Sequence, residues 1–590
     1  MQTPVALQAI SPRDSWSPDT RGLNFYDIDR PLQDLLGLYL PPALLAHLQP
    51  HLRRLGGMVG NELDDLAHLA DQNPPTLSHR NRRGEDFQVL EKHPAYRELE
   101  RLAFGEFGLA AMSHRGGVLD WPEPLPANAK YALTYLFVQS EFGLCCPVNM
   151  TDSLTRTVRC YADPALTQRV LDTLTSTDMD ELSQGAMFIT EQHGGSDVGV
   201  LETEARMDDG QWRLYGEKWF CSNVDAALSL VLARPQGAGP GTRNLGLFLL
   251  PRDLPAGGRN RYRIVRLKDK LGSRSMASGE ILLEGALAFL VGDLGRGFVQ
   301  MTEMINASRL SNGVRAAGLM RRSLTEALHV ARNRVAFAKP LIELPLMQRQ
   351  LLKLAVPTEQ ALSMALFTGD TLQRADEGDQ EARGLLRILT PLIKFRATRD
   401  ARKVAADAME VRGGSGYIEE WAHPRIIRDS LLGSVWEGTS NIVALDMLRA
   451  VRREGADAHL ERALRAKLDE ARGVPPALRA RLAAAREAAL AFVRRLAADK
   501  SRELHTRQAA SALYSATAAT LLAWEGHRLA ERRGDARRML AAALVCKTRL
   551  EPVDPLAEDD PAWETRLARA LFADAPLPLA EAQSLLEPAG

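Results

Sequence analysis

Cysteine, net charge and long apolar runs are all scarce in this sequence of 590 residues, and each scarcity excludes a class of protein. The five cysteines, at positions 145, 146, 160, 221 and 546, show no metal-binding spacing. An odd number that includes an adjacent pair fits reduced thiols better than a disulfide framework. No apolar run approaches the roughly 20 residues needed to span a bilayer, and the first residues, MQTPVALQAISPRDSW, lack the basic start and apolar core of a signal peptide. We therefore expect a cytoplasmic protein without a membrane span or a metal site.

The overall charge is zero, with 74 basic and 74 acidic residues, but its distribution is uneven. Residues 451–550 contain 21 Lys and Arg against 11 Asp and Glu, an excess of +10, whereas residues 551–590 contain 2 against 9, an excess of −7. Such a charge asymmetry is informative about which molecules the protein binds, and not about its fold. It indicates either a surface for a polyanion or a solvated, arginine-rich helical surface.

The length exceeds one ordinary core, so several domains are expected. Periodicity predicts an N-terminal helical domain over 1–180 and a helical bundle over 301–450. Between them, residues 181–300 contain short β-rich runs separated by Gly, Pro and Asp, which favour an antiparallel β-domain. A parallel α/β sheet is disfavoured because no helix of 10–15 residues separates successive runs. Residues 451–590 are predicted to form a basic helical extension with an acidic, proline-rich and partly ordered end.

The extension contains one clear amphipathic pattern. Its apolar stripe, stepping by three or four residues, comprises Leu478, Leu482, Ala485, Ala489, Val493 and Leu496. The arginines predicted to lie off this stripe, facing water or a polyanion, are Arg479, Arg481, Arg486, Arg494, Arg495 and Arg502. No helix-turn-helix, zinc finger or aromatic-interleaved basic patch is visible, so any DNA contact should be directed to the backbone and depend strongly on salt.

Glu437 is the strongest candidate for catalytic chemistry. It lies in the segment SVWEGTSNI, after an apolar run that includes Leu431, Leu432, Val435 and Trp436. A carboxylate among apolar neighbours is suited to act as a general base, and the glycine that follows lets the backbone pass close to a bulky ligand. A helix N-terminus with a nearby glutamate would give the same local pattern, so the segment alone leaves both interpretations open.

Four segments, in order, resemble the motifs of acyl-CoA dehydrogenases. ITEQHGGSDV at 189–198 is similar to the family's flavin loop, and GEKWFCSN at 216–223 to the strand beside the flavin ring. RVAFAKP at 334–340 resembles the element that reaches the FAD of a neighbouring subunit. The fourth, at 410–442, combines the Gly-Gly-Ser-Gly-Tyr loop, an Arg-Asp pair and the Trp-Glu-Gly-Thr segment. Four ordered motifs over about 250 residues are far more specific than any single glycine pattern.

The resemblance implies a mainly α-helical fold with a central antiparallel β-domain. The expected order is a helical domain, a β-barrel-like domain and a four-helix bundle, here followed by a C-terminal helical extension. FAD is the implied cofactor and an acyl-CoA thioester the implied substrate. A homotetramer is also implied, because in the family the element that contains Arg334 completes a neighbour's flavin site.

The resemblance also assigns roles to individual residues. Glu437 would remove the α-proton of the thioester, and its backbone N–H would be one oxyanion donor. The implied cofactor-binding residues are Ile189, Thr190, Gly195, Ser196, Phe220, Ser222, Arg334, Phe337, Gly413, Gly414, Thr439 and Asn441.

Several positions depart from the family pattern. Glu410 replaces a common glutamine near the FAD pyrophosphate, where a carboxylate would repel phosphate unless it is protonated or turned away. Ala338 replaces a glycine, and Trp436 replaces the tyrosine before the catalytic glutamate. Phe220 replaces a tryptophan, and Ser222 replaces a threonine but keeps the hydroxyl.

Finer details resemble the AidB-like branch of the family, flavoproteins of the bacterial adaptive response to DNA alkylation. The segments that carry this likeness lie at 82–96, 146–153, 266–278 and 343–347. The branch implies nonspecific binding of double-stranded DNA with weak dehydrogenase activity, and the DNA-contacting candidates are Arg449, Arg494 and Arg495. A working dehydrogenase for a short or branched acyl-CoA is the alternative, and a flavoprotein with neither activity is a third. The sequence does not specify the acyl chain, or whether the extension covers the CoA entrance.

Overall fold

The computed structural model describes residues 17–554, 556, 558 and 560–586. Residues 1–16, for which the sequence predicts no signal peptide, lie outside the described residues, as do parts of the acidic end. Within the described ranges, no helix is both long and apolar enough to cross a membrane.

In the described part of the chain up to residue 174, the main elements are seven α-helices, a π-helix (Arg101–Glu106) and one hairpin. The helices are α1 (Arg30–Tyr39), α2 (Pro42–Val59), α3 (Glu62–Gln72), α4 (Pro94–Glu100), α5 (Ala127–Phe137), α6 (Cys145–Tyr161) and α7 (Pro164–Leu174). The hairpin comprises β1 (Thr76–Arg80) and β2 (Asp86–Glu91), an antiparallel pair that the helical prediction for this region did not include. Local signals set the helix starts: Asp29 and Asp163 each accept a backbone N–H of the first turn, and each helix has proline in that turn.

The middle of the chain is a seven-stranded mixed sheet. Its strands are β3 (Gly185–Phe188), β4 (Glu204–Asp208), β5 (Gln211–Ser222), β6 (Leu228–Pro235), β7 (Gly246–Pro251), β8 (Tyr262–Leu267) and β9 (Ser278–Leu290). Strands β6, β4, β5, β9 and β7 pair in a closed ring, to which β3 and β8 are added. Five pairings are antiparallel, and β6 makes parallel pairings with both β3 and β4. The predicted β-domain between helical regions is confirmed. Its predicted antiparallel pairing holds for five of the seven strand pairs, and the two parallel pairings of β6 depart from it. Consecutive strands that pair antiparallel, such as β4 and β5, need no long connecting helix.

Three long helices form the framework of the following bundle: α8 (Gly297–Asn333), α9 (Pro345–Asp376) and α10 (Gln380–Arg412). The two-residue strands β10 (Val335–Ala336) and β11 (Lys339–Pro340) join α8 to α9. The shorter α11 (Ala422–Leu432) and α12 (Ser440–Glu454) pack against α10. The extension adds α13 (Ala456–Glu470), α14 (Pro476–Ala498), α15 (Thr506–Arg533), α16 (Arg538–Val545), α17 (Pro561–Phe572) and α18 (Leu579–Leu586).

The predicted apolar stripe of α14 faces the interior, with five of its six members buried and Ala485 half-buried. The prediction for Arg486 is wrong, because this side chain is buried and not on the solvent-facing side. Arg486 directly follows a stripe position, and its long aliphatic stem allows burial along apolar neighbours. Helix periodicity therefore predicted which residues form the apolar stripe, but not which flanking residues are buried beside it.

A buried ion-pair network joins the extension to the rest of the molecule. Arg538 of α16 donates to Glu359 of α9 at 2.5 Å, to Glu525 of α15 at 2.8 Å and to Ser363 at 2.7 Å. Glu359 also accepts from Arg321 of α8 at 2.6 Å. The extension is thus built into the bundle and is not a separate appendage.

We expect Arg538→Met to lower the free energy of unfolding by about 3–5 kcal/mol, because two buried carboxylates lose their shared partner. Urea titration followed by circular dichroism would measure the change. Arg465→Met is the control, since Arg465 is exposed and its ion pair, with Glu461 at 3.2 Å, lies on the surface, and its cost should be below about 1 kcal/mol. Equal costs for the two variants would contradict an integrated extension.

Asp429 is a buried carboxylate where α11 meets the loop before β9. The Ser273 N–H donates to it at 2.6 Å. Burial, reinforced by the nearby carboxylates of Glu141 and Asp71, raises the pKa of Asp429 from 3.8 to about 7. Between these two pH values the folded protein keeps a proton that the unfolded chain has lost, so the contribution of Asp429 to stability falls as pH rises through this window.

We expect Asp429→Asn to stabilise the protein at pH 8 by on the order of 2–4 kcal/mol and much less at pH 4. Asparagine keeps an acceptor for the Ser273 N–H and cannot ionise. Thermal unfolding at the two pH values measures the difference. Asp446→Asn is the opposite case, because Arg309 and Arg387 lower the pKa of Asp446 despite its burial, and this variant should be destabilised at pH 8. A stabilisation by Asp429→Asn that is equal at both pH values would refute the assignment.

Candidate active site

Glu437 lies on a sharp turn between α11 and α12. Its φ is +46° and that of Gly438 is +102°, so both residues adopt the left-handed region that side chains disfavour. Thr439 then provides the N-cap position of α12. A non-glycine residue in this conformation is held there by its surroundings, and such positions concentrate at functional sites.

Two cations hold the carbonyl groups of this turn. Arg309 Nε donates to the Glu437 carbonyl oxygen at 3.0 Å, and Lys394 Nζ donates to that of Gly438. Burial lowers the pKa of Lys394 to about 7, against the opposing effect of Glu437. Arg309 is itself fixed by Asp446 at 2.8 Å, and Asp446 also accepts from Arg387 at 2.9 Å.

The carboxylate of Glu437 has a separate pair of partners on α8. Ser308 Oγ donates to Oε1 at 2.8 Å, and Asn312 Nδ2 donates to Oε2. The two donors are four residues apart and therefore lie on one face of the helix. Hydrogen bonds to both oxygens fix the direction of the carboxylate.

The predicted apolar surroundings of Glu437 are wrong in part. Leu431 and Val435 are exposed, and the groups that contact the carboxylate are polar. Trp436 is half-buried and stacks on Phe142, with ring centroids 5.7 Å apart. The sequence analysis missed Ser308 and Asn312 because they lie more than 120 residues upstream. Polar residues at i and i+4 within the helical pattern were the available signal.

Six predicted flavin residues lie on two adjoining segments of the β-domain: Ile189, Thr190, Gly195, Ser196, Phe220 and Ser222. The Trp219 N–H donates to the Thr190 carbonyl oxygen at 2.8 Å, which joins the two segments. Beneath them, the buried Lys218 pairs with Glu191 at 2.7 Å. Gly195, Ser196 and Phe220 are exposed, Phe220 to 58%. The predicted loop and strand therefore form one accessible surface.

Four other predicted residues lie just after α8 or just after α10: Arg334, Phe337, Gly413 and Gly414. An Arg334 Nη1 donates to the Arg412 carbonyl oxygen at 3.3 Å, next to Gly413. Phe337 has a φ of +53° and a side chain that is 89% exposed. The Glu410 side chain is exposed as well. A cation beside a glycine loop, with room for a Cβ at Gly414, fits a phosphate group.

Thr439 and Asn441 lie at the start of α12, where a group of arginines converges. Arg399 donates to Ser440 Oγ at 3.3 Å, Arg402 to Ser434 Oγ at 3.1 Å and Arg507 to Asn441 Oδ1 at 3.4 Å. These partners are neutral. Burial, followed by the charges of Arg507 and Arg402, lowers the pKa of Arg399. Positive charge at a helix N-terminus fits the diphosphate of FAD.

The three predicted DNA-contacting arginines differ in their surroundings. Arg449 on α12 is 55% exposed, with Asp446 at 3.5 Å. Arg494 on α14 is engaged by two carboxylates, Asp457 and Glu461, each at 2.7 Å. Arg495 is exposed, with its guanidinium carbon 5.6 Å from the Phe492 ring centroid. Of the three, Arg494 has its charge largely balanced within the molecule.

Three sequence models match successive parts of the chain. The Adaptive response protein AidB N-terminal domain matches residues 16–181, the acyl-CoA dehydrogenase middle domain residues 186–286, and the acyl-CoA dehydrogenase C-terminal domain residues 295–452. The putative acyl-CoA dehydrogenase AidB of Escherichia coli is 33% identical over 444 residues, which cover 70% of this chain and 79% of that protein.

Solved structures show the same relationship. Caenorhabditis elegans ACDH-11 in complex with C11-CoA is 26% identical with a TM-score of 0.85, covering 94% of this chain and 95% of that one. The acyl-CoA dehydrogenase of Bacillus anthracis complexed with FAD shares the fold, at 18% identity and a TM-score of 0.65, over 89% of this chain and 93% of that one. The matched models, the likeness to the Escherichia coli protein and the fit of the site to FAD lead to one conclusion: the chain belongs to the acyl-CoA dehydrogenase family, with an AidB-type N-terminal domain and FAD as its cofactor.

Proposed function

We propose that the protein oxidises an acyl-CoA thioester, with Glu437 as the base that removes the α-proton. The observation that carries this proposal is the carboxylate itself, which is directed by Ser308 and Asn312 from a turn that Arg309 and Lys394 hold in place. Both carboxylate oxygens accept hydrogen bonds, which fixes the direction of the group that would take the proton.

The backbone of the same turn supports the second requirement of the reaction. Proton removal from the α-carbon moves negative charge to the thioester oxygen, which needs a fixed donor. The Glu437 N–H has no acceptor within the described part of the chain and is free to serve. A well-placed donor of this kind contributes roughly 3 kcal/mol. When bound, FAD supplies the hydride acceptor that completes the oxidation.

The cofactor site rests on the three groups of residues described above. Thr190 and Ser222 are proposed to contact the flavin ring. Arg334 with the glycine loop at 413–414, and Thr439 and Asn441 at the start of α12, are proposed to contact its diphosphate. Exposed apolar side chains beside this loop, including Phe337 and Tyr417, support completion of the site by a second copy and a homotetramer. Five free cysteines, four of them buried, support a reducing cytoplasmic location.

Binding of double-stranded DNA in protection from alkylation damage is the second candidate function, with weak or residual dehydrogenase activity. The exposed Arg449 and Arg495 and the excess of basic residues over 451–550 favour it. The ion pairs of Arg494 and the burial of Arg486 reduce the charge that is available. Such binding would be directed to the phosphate backbone and would not read sequence.

We expect Glu437→Gln to bind FAD but to slow bleaching of the flavin by an acyl-CoA by roughly 10²–10⁴-fold, because glutamine cannot accept the proton. Anaerobic titration with short and branched acyl-CoAs, followed at the flavin absorption band, would measure this. Glu487→Gln is the matched control, since Glu487 is an exposed glutamate of α14 outside both the turn and the cofactor-binding groups, and it should bleach like wild type. Unchanged bleaching in Glu437→Gln would exclude Glu437 as the base.

For the DNA candidate, we expect the logarithm of the affinity for a random duplex to fall linearly with the logarithm of the salt concentration, by about 0.9 for each phosphate contacted. Fluorescence anisotropy would measure it. Arg449→Ala should reduce this slope by about one contact, and Arg494→Ala by less, because two carboxylates already engage Arg494. Affinity that is absent, or that does not change with salt, would eliminate this function.

A further inference from the structure

Arg315 is a fully buried cation beside the candidate active site. It lies on α8, three residues after Asn312 and seven after Ser308, and these spacings place all three on one helix face. Its side chain is among the largest that are entirely inaccessible to solvent. A guanidinium remains protonated at every pH that a protein survives, so this is a permanent buried charge.

The side chain of Arg315 makes few hydrogen bonds within the part of the chain that the structure describes. There, Nε alone makes one, a long one of 3.4 Å to the Ser311 carbonyl oxygen. Neither terminal nitrogen has an acceptor among the residues that the structure describes. The next buried arginines on the helix differ, because Arg321 pairs with Asp29 and Glu359, and Arg322 with Asp64 and Glu326.

Aromatic rings, and not carboxylates, surround the guanidinium. Its carbon lies 5.4 Å from the ring centroids of both Phe142 and Trp436. Contacts of this kind contribute about 2 kcal/mol when desolvated, whereas burying an unpaired ion costs several kcal/mol. Burial raises the pKa of the nearby Cys146 thiol to about 12, so this group supplies no negative charge at neutral pH. Among the described residues, no carboxylate forms an ion pair with Arg315.

Two acidic residues adjoin these rings in sequence, Glu437 after Trp436 and Glu141 before Phe142, and both are already engaged. The Glu437 carboxylate accepts from Ser308 and Asn312. Glu141 Oε1 accepts from the Leu144 N–H at 2.9 Å and from Ser275 Oγ at 2.8 Å. Burial raises its pKa, which favours the neutral acid. The terminal nitrogens of Arg315, without a partner among the described residues, are thus open to an anion from outside the chain.

We propose that Arg315 binds a carboxylate at the far end of the acyl chain, so that the substrate class is a short acyl-CoA with an ω-carboxyl group. This inference rests on the proposed function, because it places the α-carbon at Glu437. Trp436, which contacts Arg315, is the residue before Glu437. Along α8, Arg315 lies about 4.5 Å beyond Asn312, which suits a short chain. The guanidinium can bind a carboxylate with two parallel hydrogen bonds.

The test compares glutaryl-CoA with pentanoyl-CoA, which have the same chain length and differ in the terminal carboxylate. Calorimetric titration of the FAD-loaded protein should give at least a 100-fold lower Kd for glutaryl-CoA. In Arg315→Met the ratio should fall to about one or reverse, and Arg315→Lys should keep part of the preference. A wild-type preference for pentanoyl-CoA, an unchanged ratio in Arg315→Met, or no measurable binding of either ester would overturn the inference.

Two further readouts distinguish carboxylate binding by Arg315 from the proposed oxidation and from a purely structural role of this side chain. Calorimetry reports binding without turnover, so a carboxylate preference without flavin bleaching would retain the inference and remove the proposed oxidation. The thermal midpoint of Arg315→Met should stay at or above that of wild type, since no ion pair is lost, whereas Arg321→Met should fall sharply. An equal fall in both variants would show that Arg315 serves only the fold and would overturn the proposal.

Discussion

The geometry of the site depends on one turn in which Glu437 and Gly438 take left-handed backbone conformations. Relaxation of that turn would move the carboxylate, the free Glu437 N–H and the start of α12 together. The restraint comes from distant parts of the chain: Arg309 on α8 and Lys394 on α10 each hold one carbonyl group. The long helices of the bundle therefore act as a frame for a single residue, and Asp446 and Arg387 extend that frame outward.

A second set of charged residues joins the N-terminal helices, the bundle and the C-terminal extension. A chain of ion pairs runs through the interior from the start of α1 to the extension. Its members, in order, are Asp29, Arg321, Glu359, Arg538 and Glu525. Each cation in this set lies between two carboxylates, which reduces the cost of burial. The family fold and its C-terminal addition consequently share one interior. The same helix, α8, carries the paired Arg321 and the unpaired Arg315, so the contrast between them does not arise from different depths of burial alone.

Sequence patterns predicted the structure correctly where it is determined by neighbouring residues or where a motif is specific to a family. The β-rich runs with their Gly and Pro breaks located the sheet, the spacing of Leu478 to Leu496 located a buried stripe, and the motif around Glu437 located the turn. They were insufficient where the determinant is a contact between distant segments. In the sequence, Ser308 and Asn312 look like ordinary helix residues, because only the folded chain brings Glu437 against them. Arg486 looks like a surface arginine, because helix periodicity does not show which neighbouring elements cover a helix face. The environment of Glu437 was misjudged for the same reason, since flanking residues do not determine what packs on the other side.

The strained turn also bears on how this protein would respond to selection. A side chain with positive φ costs on the order of 1–3 kcal/mol, and glycine at position 437 would remove that cost together with the half-buried charge. Selection for thermal tolerance alone would thus draw the lineage toward loss of the carboxylate, while selection for chemistry would oppose it. Other non-glycine residues with positive φ, such as Asp209 and Ser273, provide the comparison. If Glu437 is retained among descendants more often than they are, selection for chemistry has been the stronger.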